Sequence, residues 1–269
     1  MRAGLIITTY NWPEALQLTL ASVARQTHAP DEVIVADDGS GPATRAVVER
    51  WRAAGLPIQH VWQEDEGFRL ARSRNRALAA ARADYILLVD GDMVLHPQFV
   101  ADHLRCARPD CFIQGARPQL SAATTAQLLH GAGPVAVGPF TPGLQRRAYA
   151  IRSPLLSRVF SRTKDTLGGV QGCNQSFWRS HAIRVNGYDE RFTAWGPEDR
   201  EFVARLLHLG VRRHYVRHRA IAFHLHHVSR APSAPNPFDR LLEETLARRA
   251  TWTEHGLAAH LDAAEPPQA

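Results

Sequence analysis

Three stretches constrain this chain more than any others: GLIITTY (4–10), EVIVADDGS (32–40) and YILLVDG (85–91). Each carries an apolar run, β-branched in the first, and ends in polar residues. Continuous apolar runs bounded by turn residues read as strands buried on both faces. Between them lie helical patterns. Asn11 is placed to cap the first helix, Pro13 sits in its first turn, and Leu16, Leu20 and Val23 share one face. Residues 42–55 form a second helix that stops at Gly55, IQHVWQ (58–63) a third strand, and 69–83 a helix rich in alanine and arginine. The alternation predicts an α/β fold built from βαβ units, with a mainly parallel central sheet flanked by helices. Ligands of such open sheets bind beyond the carboxyl ends of the strands. The polar clusters Thr8-Thr9-Tyr10-Asn11, Asp37-Asp38-Gly39-Ser40 and Asp90-Gly91-Asp92 all fall at those ends.

The remainder is less regular. Residues 131–143 and 161–174 are rich in glycine and read as loops, the stretch Gly168 to Asn174 as a lid. Residues 198–210 predict a helix with Phe202, Leu206 and Leu209 on one face, and 213–225 a strand. Residues 231–237 read as a linker. The segment 238–269 reads as a helical C-terminal extension, amphipathic through Leu241, Leu242, Leu246 and Trp252. One main domain over 1–230 is expected.

The composition, 45% hydrophobic and 22% charged, is that of an ordinary globular chain. No apolar run approaches the ~18 residues of a membrane span, and the apolar part of the N-terminus is too short for a secretory signal. The expectation is a soluble, cytoplasmic protein. Cys106, Cys111 and Cys173 lack metal-type spacing and read as reduced thiols. The net charge is +6, and Lys164 is the only lysine. That excess suits phosphate-bearing ligands, an anionic membrane surface or nucleic acid. With no zinc-finger, homeodomain or RRM signature and no compact basic run, no nucleic-acid partner is expected.

Two aspartates one residue apart at a strand end can together reach a hard divalent cation with open positions for a diphosphate. The bland alternative is a surface turn, Asp-Gly being a common turn dipeptide. Two further polar strand ends beside Asp90 and Asp92 favour the site.

These motifs, taken together over residues 4–100, resemble the nucleotide-binding half of inverting family 2 glycosyltransferases of the GT-A fold. A later segment, GYDERFTAWGPEDREFVARLLHLG (187–210), is similar to the acceptor-site segment of β-1,4-galactosyltransferases and bacterial polysaccharide polymerases. The resemblance implies a nucleotide-binding half (1–100) and an acceptor half (101–230). It places Thr8 and Tyr10 around the base and ribose, Asp38 on the base with Asp37 close by, and Arg72 and Asn75 near the nucleotide. Asp90 would face the ribose or sugar, and Asp92 would ligate the metal. Asp199 would be the catalytic base and Glu198 would orient the acceptor, although two acids opening a helix also complement its dipole.

In FHLHH, strand alternation puts His224 and His226 on one face, whereas the resemblance makes His224 and His227 the metal contacts. His226 is read as structural. Imidazole beside carboxylate suits Mn²⁺ better than Ca²⁺, with Mg²⁺ as the second choice. Trp195 is either a platform for a sugar ring or a core residue. Pro197 and Arg200 depart from the galactosyltransferase pattern, so acceptor identity does not carry over. The implied function is metal-dependent transfer of a sugar from a nucleoside diphosphate, UDP first, to a glycan or glycoconjugate acceptor in bacterial surface polysaccharide synthesis. Peripheral contact with the inner membrane through the C-terminal helix is a further expectation. The rival readings are a nucleotidyltransferase on a related fold, whose glycine-rich phosphate loop is missing after the first strand, and a non-catalytic glycan-binding protein.

Overall fold

The polar strand ends meet because their strands pair in parallel register. In the computed structural model, which describes residues 1–131, 136–228 and 236–261, strands β1 (Ala3–Thr9), β2 (Glu32–Asp37), β3 (Ile58–Trp62) and β4 (Tyr85–Asp90) lie in the order β3-β2-β1-β4. Thr9 stands opposite Asp37, and Thr8 opposite Asp90. Helices α1 (Pro13–Val23), α2 (Pro42–Ala53) and α3 (Leu70–Ala80) form the crossovers. The apolar runs are buried on both faces. Leu5, Ile7, Val33, Val35, Leu87 and Val89 pack with α1 and α2. Ile6, Ile34, Ile86 and Leu88 pack with α3 on the other side.

The sheet continues as a mixed half. The chain runs through β5 (Met93–Leu95), α4 (Phe99–Cys106), β6 (Cys111–Gln114), α5 (Ala122–His130), α6 (Pro154–Phe160), β7 (Arg162–Lys164) and β8 (Asn174–Trp178). Then follow α7 (Arg179–Arg184), α8 (Glu198–His208), β9 (Arg212–Tyr215), β10 (Ala222–His224), α9 (Asp239–Ala247) and α10 (Ala258–Leu261). The main sheet has eight strands, and β8 is antiparallel to both β4 and β6. Strands β5 and β10 form a separate antiparallel pair. No helix among the described residues is long and apolar enough to cross a membrane.

Three local expectations are corrected. Asn11 does not cap α1: it adopts φ +46, and its side-chain oxygen instead accepts from Gly41 N–H at 2.9 Å, tying β1 to the start of α2. The strand expected over 213–225 is two strands in two sheets, because the chain turns at His218 and Ala220, with φ of +58 and +51. The helix expected from 238 ends at Ala247, and Arg249 follows with φ +49. In α9, Leu241 and Leu242 are buried, while Leu246 and the later Trp252 are exposed, so only part of the amphipathic pattern is spent on packing. Most of the linker 231–237, and the extension beyond residue 261, lie outside the described residues.

A buried clamp joins the two halves. The Asn75 side chain on α3 donates to Tyr188 O and Glu190 Oε1 and accepts from Tyr188 N–H, all at 2.8 Å. Gly187 before it has φ +64, and a Cβ there would lie 2.2 Å from Asn75 Oδ1. Asn75→Ala leaves both backbone groups of Tyr188 buried without these partners, and each such group costs about 1–3 kcal/mol. Urea unfolding should show a loss of about 2–6 kcal/mol at unchanged m-value, with nucleotide affinity of the folded protein preserved. A loss confined to nucleotide affinity would instead make Asn75 a ligand contact.

Candidate active site

Two cavities open at the carboxyl end of the parallel strands. The first, about 660 Å³, is lined by Thr8, Tyr10, Trp12, Asp38, Phe68 and Asp90 among others. The second, about 790 Å³, is lined by Arg74, Arg117, Gly172, Trp195, Glu198 and Asp199 among others. They share Phe68, Leu70, Asp90 and His227, so they form one continuous cleft.

In the first cavity, Thr8 Oγ1 donates to Asp90 Oδ1 at 2.8 Å. The Tyr10 ring is 37% exposed, with its hydroxyl on Asp65. Asp38 lines the wall, but both its oxygens already accept hydrogen bonds, from Gln63 Nε2 at 2.6 Å and Arg69 N–H at 2.9 Å. Burial, the largest influence, raises its pKa against those two bonds. Asp37 does not line the cavity. It is fully buried, accepts from Ser40 N–H at 2.8 Å and pairs with His60 at 2.8 Å, so it shapes the turn behind Asp38. A Cβ on Gly91 would lie 2.9 Å from Thr8 O. The glycine is therefore required by the contact between strands, beyond any approach to a ligand.

The structure separates the arginines of α3. Arg72 lies outside both cavities, half-exposed and paired with Glu66 at 2.9 Å. Arg74 is inside: its side chain is 3% exposed, lying 3.0 Å from Glu198 Oε1 and 3.6 Å from Asp90 Oδ1. Asn75 is in the structural clamp. Arg74 was missed in the sequence, although its phase was readable: Ala71, Arg74, Asn75 and Leu78 recur at helical spacing and are all buried.

Asp92, His224 and His227 converge. Their ligand atoms all lie within 4.8 Å of one another, with Asp92 Oδ2 3.5 Å from His224 Nε2 and 3.3 Å from His227 Nε2. The β5–β10 pair produces this meeting, since His224 stands opposite Met93 and Leu225 N–H donates to Asp92 O. Asp92 Oδ1 is buried without a hydrogen-bond partner. Burial, then the neighbouring Asp90 charge, raises Asp92 to about 8. Burial lowers His224 to about 4, which keeps its imidazole neutral. An orphaned carboxylate oxygen beside two imidazoles, one of them held neutral, fits a divalent cation. The Trp12 ring meets His227 edge-on, with centroids 6.1 Å apart. His226, read as structural, is exposed and lines the second cavity.

Glu198 and Asp199 open α8. Asp199 accepts from Gly172 N–H at 2.8 Å and Arg200 N–H at 2.7 Å. Burial is the first cause that holds both carboxyls above the ordinary range, Glu198 at about 7, while Arg74 works in the opposite direction. Trp195 is 46% exposed on the cavity wall, which sets aside the core reading. In the segment expected to close as a lid, Asn174 is fixed in β8, its side-chain N–H donating to Ala116 O and Ala220 O at 2.9 Å. Arg117, which also lines the second cavity, carried no periodic signal in the sequence.

The family profile "Glycosyl transferase family 2" matches residues 5–143, and one described as the N-terminal domain of galactosyltransferase matches residues 157–228. The chain is 33% identical over 218 residues to validoxylamine A glucosyltransferase of Streptomyces hygroscopicus subsp. limoneus, covering 76% of this chain and 47% of that protein. It is 30% identical over 225 residues to hyaluronan synthase of Pasteurella multocida, covering 77% and 23%. It thus spans about half of the first relative and under a quarter of the second. S. aureus TarS 1–349 in complex with UDP-GlcNAc superposes with a TM-score of 0.65 at 18% identity, over 98% of this chain and 71% of TarS. The mannosyltransferase PcManGT from Pyrobaculum calidifontis, in complex with GDP-Man and Mn²⁺, gives 0.57 at 18% identity, over 100% and 76%. At that identity the superpositions speak for the fold. With the family 2 profile matched over more than half its residues, this chain belongs to glycosyl transferase family 2 and has the GT-A fold.

Proposed function

We propose that the chain transfers a sugar, with inversion, from a UDP-sugar to a hydroxyl of a glycan or glycoconjugate in bacterial surface polysaccharide synthesis. One observation carries the reading: the Asp92–His224–His227 cluster and the Glu198–Asp199 pair face a single continuous cleft, joined at Asp90 and His227. Support for the donor comes from TarS, a structural neighbour in complex with UDP-GlcNAc. Support for the pathway comes from the bacterial hyaluronan and chondroitin synthases among the relatives.

The first cavity takes the nucleotide, with Tyr10 against the base and Thr8, Asp38 and Asp90 on the polar wall. A divalent cation, Mn²⁺ before Mg²⁺, would be held by Asp92, His224 and His227, and when bound it supplies positive charge to the departing diphosphate. Asp199 accepts the proton of the attacking hydroxyl, and Glu198, fixed by Arg74, orients it. Trp195 offers its exposed face to the acceptor sugar. Inversion requires a single displacement, so one base suffices. Peripheral contact of the C-terminal segment with a membrane surface stays part of the proposal: Leu241 and Leu242 of α9 are turned into the domain, while Leu246 and Trp252 are exposed.

Three measurements test the reading. Mn²⁺ titration should show binding weakened at least ~10-fold by Asp92→Ala or His224→Ala and unchanged by His226→Ala; equal loss in all three variants would refute the assignment. In a nucleotide-sugar panel, Asp199→Asn should lower kcat roughly 10²–10⁴-fold with donor KM little changed. Release of pyrophosphate from nucleoside triphosphate and sugar phosphate in that panel would favour the nucleotidyltransferase, and no turnover of any donor the binding protein. Finally, Asp199 must be deprotonated to act, so kcat/KM rises with pH through the apparent pKa of the acid pair, in which burial lifts Glu198 to about 7. Glu198→Gln removes a negative neighbour and should move that rise to lower pH. A midpoint that stays put would uncouple the two acids.

A further inference from the structure

A third cavity, about 210 Å³, adjoins the second and shares Arg117 and Gln171 with it. It is smaller than the ~300–1,000 Å³ of pockets that hold whole ligands. Its lining has one chemical character. Arg117, Arg146, Lys164 and Arg213 all contribute, with Tyr149 and Tyr215, and among the described residues no carboxylate lines it. Asp165, next to Lys164, is turned away to Arg212 at 3.1 Å.

Arg213 is the decisive residue. It is only 3% exposed, yet among the described residues it has no acidic partner. One Nη donates to Gly168 O at 2.9 Å and lies 3.4 Å from Thr166 Oγ1, while its Nε is buried without any partner. Burial pushes its pKa down, and no carboxylate opposes that. A buried guanidinium with an unused N–H and only neutral partners is costly unless an anion completes it. Nearby, Arg217 lies 5.4 Å from the ring centroids of both Tyr149 and Tyr215, which braces two walls of the cavity.

The charge distribution along the chain agrees. Residues 111–164 hold seven of the 32 lysines and arginines and none of the 26 acids. The rest of the chain, with 25 basic and 26 acidic residues, is nearly neutral. The whole excess positive charge therefore belongs to the segment that contributes most of this lining.

We infer that this cavity binds an anionic group, a phosphate or carboxylate, carried by the acceptor, so that the enzyme glycosylates a negatively charged glycan. The assignment rests on the transferase reading above, in which the adjoining cavity holds the acceptor. It gives Arg117 a place at the junction, between the sugar that receives the transfer and the anionic group.

Calorimetric titration of the full chain, with the donor cavity filled by UDP and Mn²⁺, tests this. Glucose 6-phosphate and glucuronate are the anionic probes and glucose the neutral one; the first two distinguish phosphate from carboxylate as the bound group. At least one anionic probe should bind roughly tenfold or more tighter than glucose. The double substitution Arg146→Gln/Lys164→Gln, at two exposed positions, should remove most of that preference and leave Mn²⁺-dependent donor hydrolysis unchanged. Arg213→Gln should remove it further, and the exposed pair keeps the test decisive if that variant does not fold. Equal binding of all three probes, or an anionic preference untouched by the double substitution, would overturn the inference. So would its disappearance once UDP fills the donor cavity. Anionic binding with no hydrolysis of any donor would sink the transferase reading and leave the anion site standing.

Discussion

The arrangement of the cleft depends on one buried cation. Arg74 enters from α3, reaches Asp90 at the end of β4 and Glu198 at the start of α8, and lies 5.0 Å from the centroid of the Tyr188 ring. Burial opposes its charge, but Tyr188, Glu198, Asp90 and Asp199 more than offset that and hold its pKa above the ordinary value. Without it, the carboxyls of Asp90, Glu198 and Asp199 would crowd one another with no counter-charge, at several kcal/mol per uncompensated buried ion. Tyr188 in turn stacks on Phe202 of α8, with ring centroids 4.3 Å apart, and its backbone is clamped by Asn75 one residue beyond Arg74. The same turn of α3 thus fixes both the acids and the helix that presents them.

The parallel half of the fold was legible in the sequence because its signals are local. Each of β1, β2 and β4 is a continuous apolar run, and a strand buried on both faces needs no knowledge of its partners to be recognised. The polar residues that follow had to share an edge once the strands were parallel. The α3 residues show the limit of such reading. Arg72 and Arg74 look alike in RSRNR, and only helical phase separates the exposed one from the buried one. A charge on the apolar face disguised the face.

The mixed half was less legible because long-range pairing shapes it. Alternation along FHLHH grouped His224 with His226, a sound inference while a strand lasts. The strand stops at His224, and beyond it His227 reaches Asp92. What fixes that stop is pairing with β5, some 130 residues earlier. Arg117 follows β6 in an irregular stretch and reaches the cleft through topology alone. Asp37 is a third kind of case. It sits in a motif rich in ligand-type residues, yet both its oxygens serve the turn and His60, and its neighbour Asp38 takes the cavity wall.

The proposed chemistry makes two electrostatic demands that oppose each other. A departing diphosphate needs positive charge, whereas a carboxylate base keeps its proton affinity only where negative charge or burial raises its pKa. Put side by side, each would cancel the other. The fold separates them along one cleft. Asp92 and the two histidines are brought together by β5 and β10, and Glu198 and Asp199 sit on α8 beyond Asp90. Asp90 belongs to both neighbourhoods: it accepts from Thr8 on the donor side and faces Arg74 on the acceptor side. Arg74 carries enough positive charge to permit the burial of the acids. It does not carry enough to quench them, since Glu198 still stands near 7 and Asp199 above its ordinary range. A second arginine beside it would drive both acids down and weaken the base, and a neutral residue in its place would leave them too repulsive to bury together. A single buried guanidinium among several carboxyls is therefore the balance that lets one cleft serve both ends of the transfer.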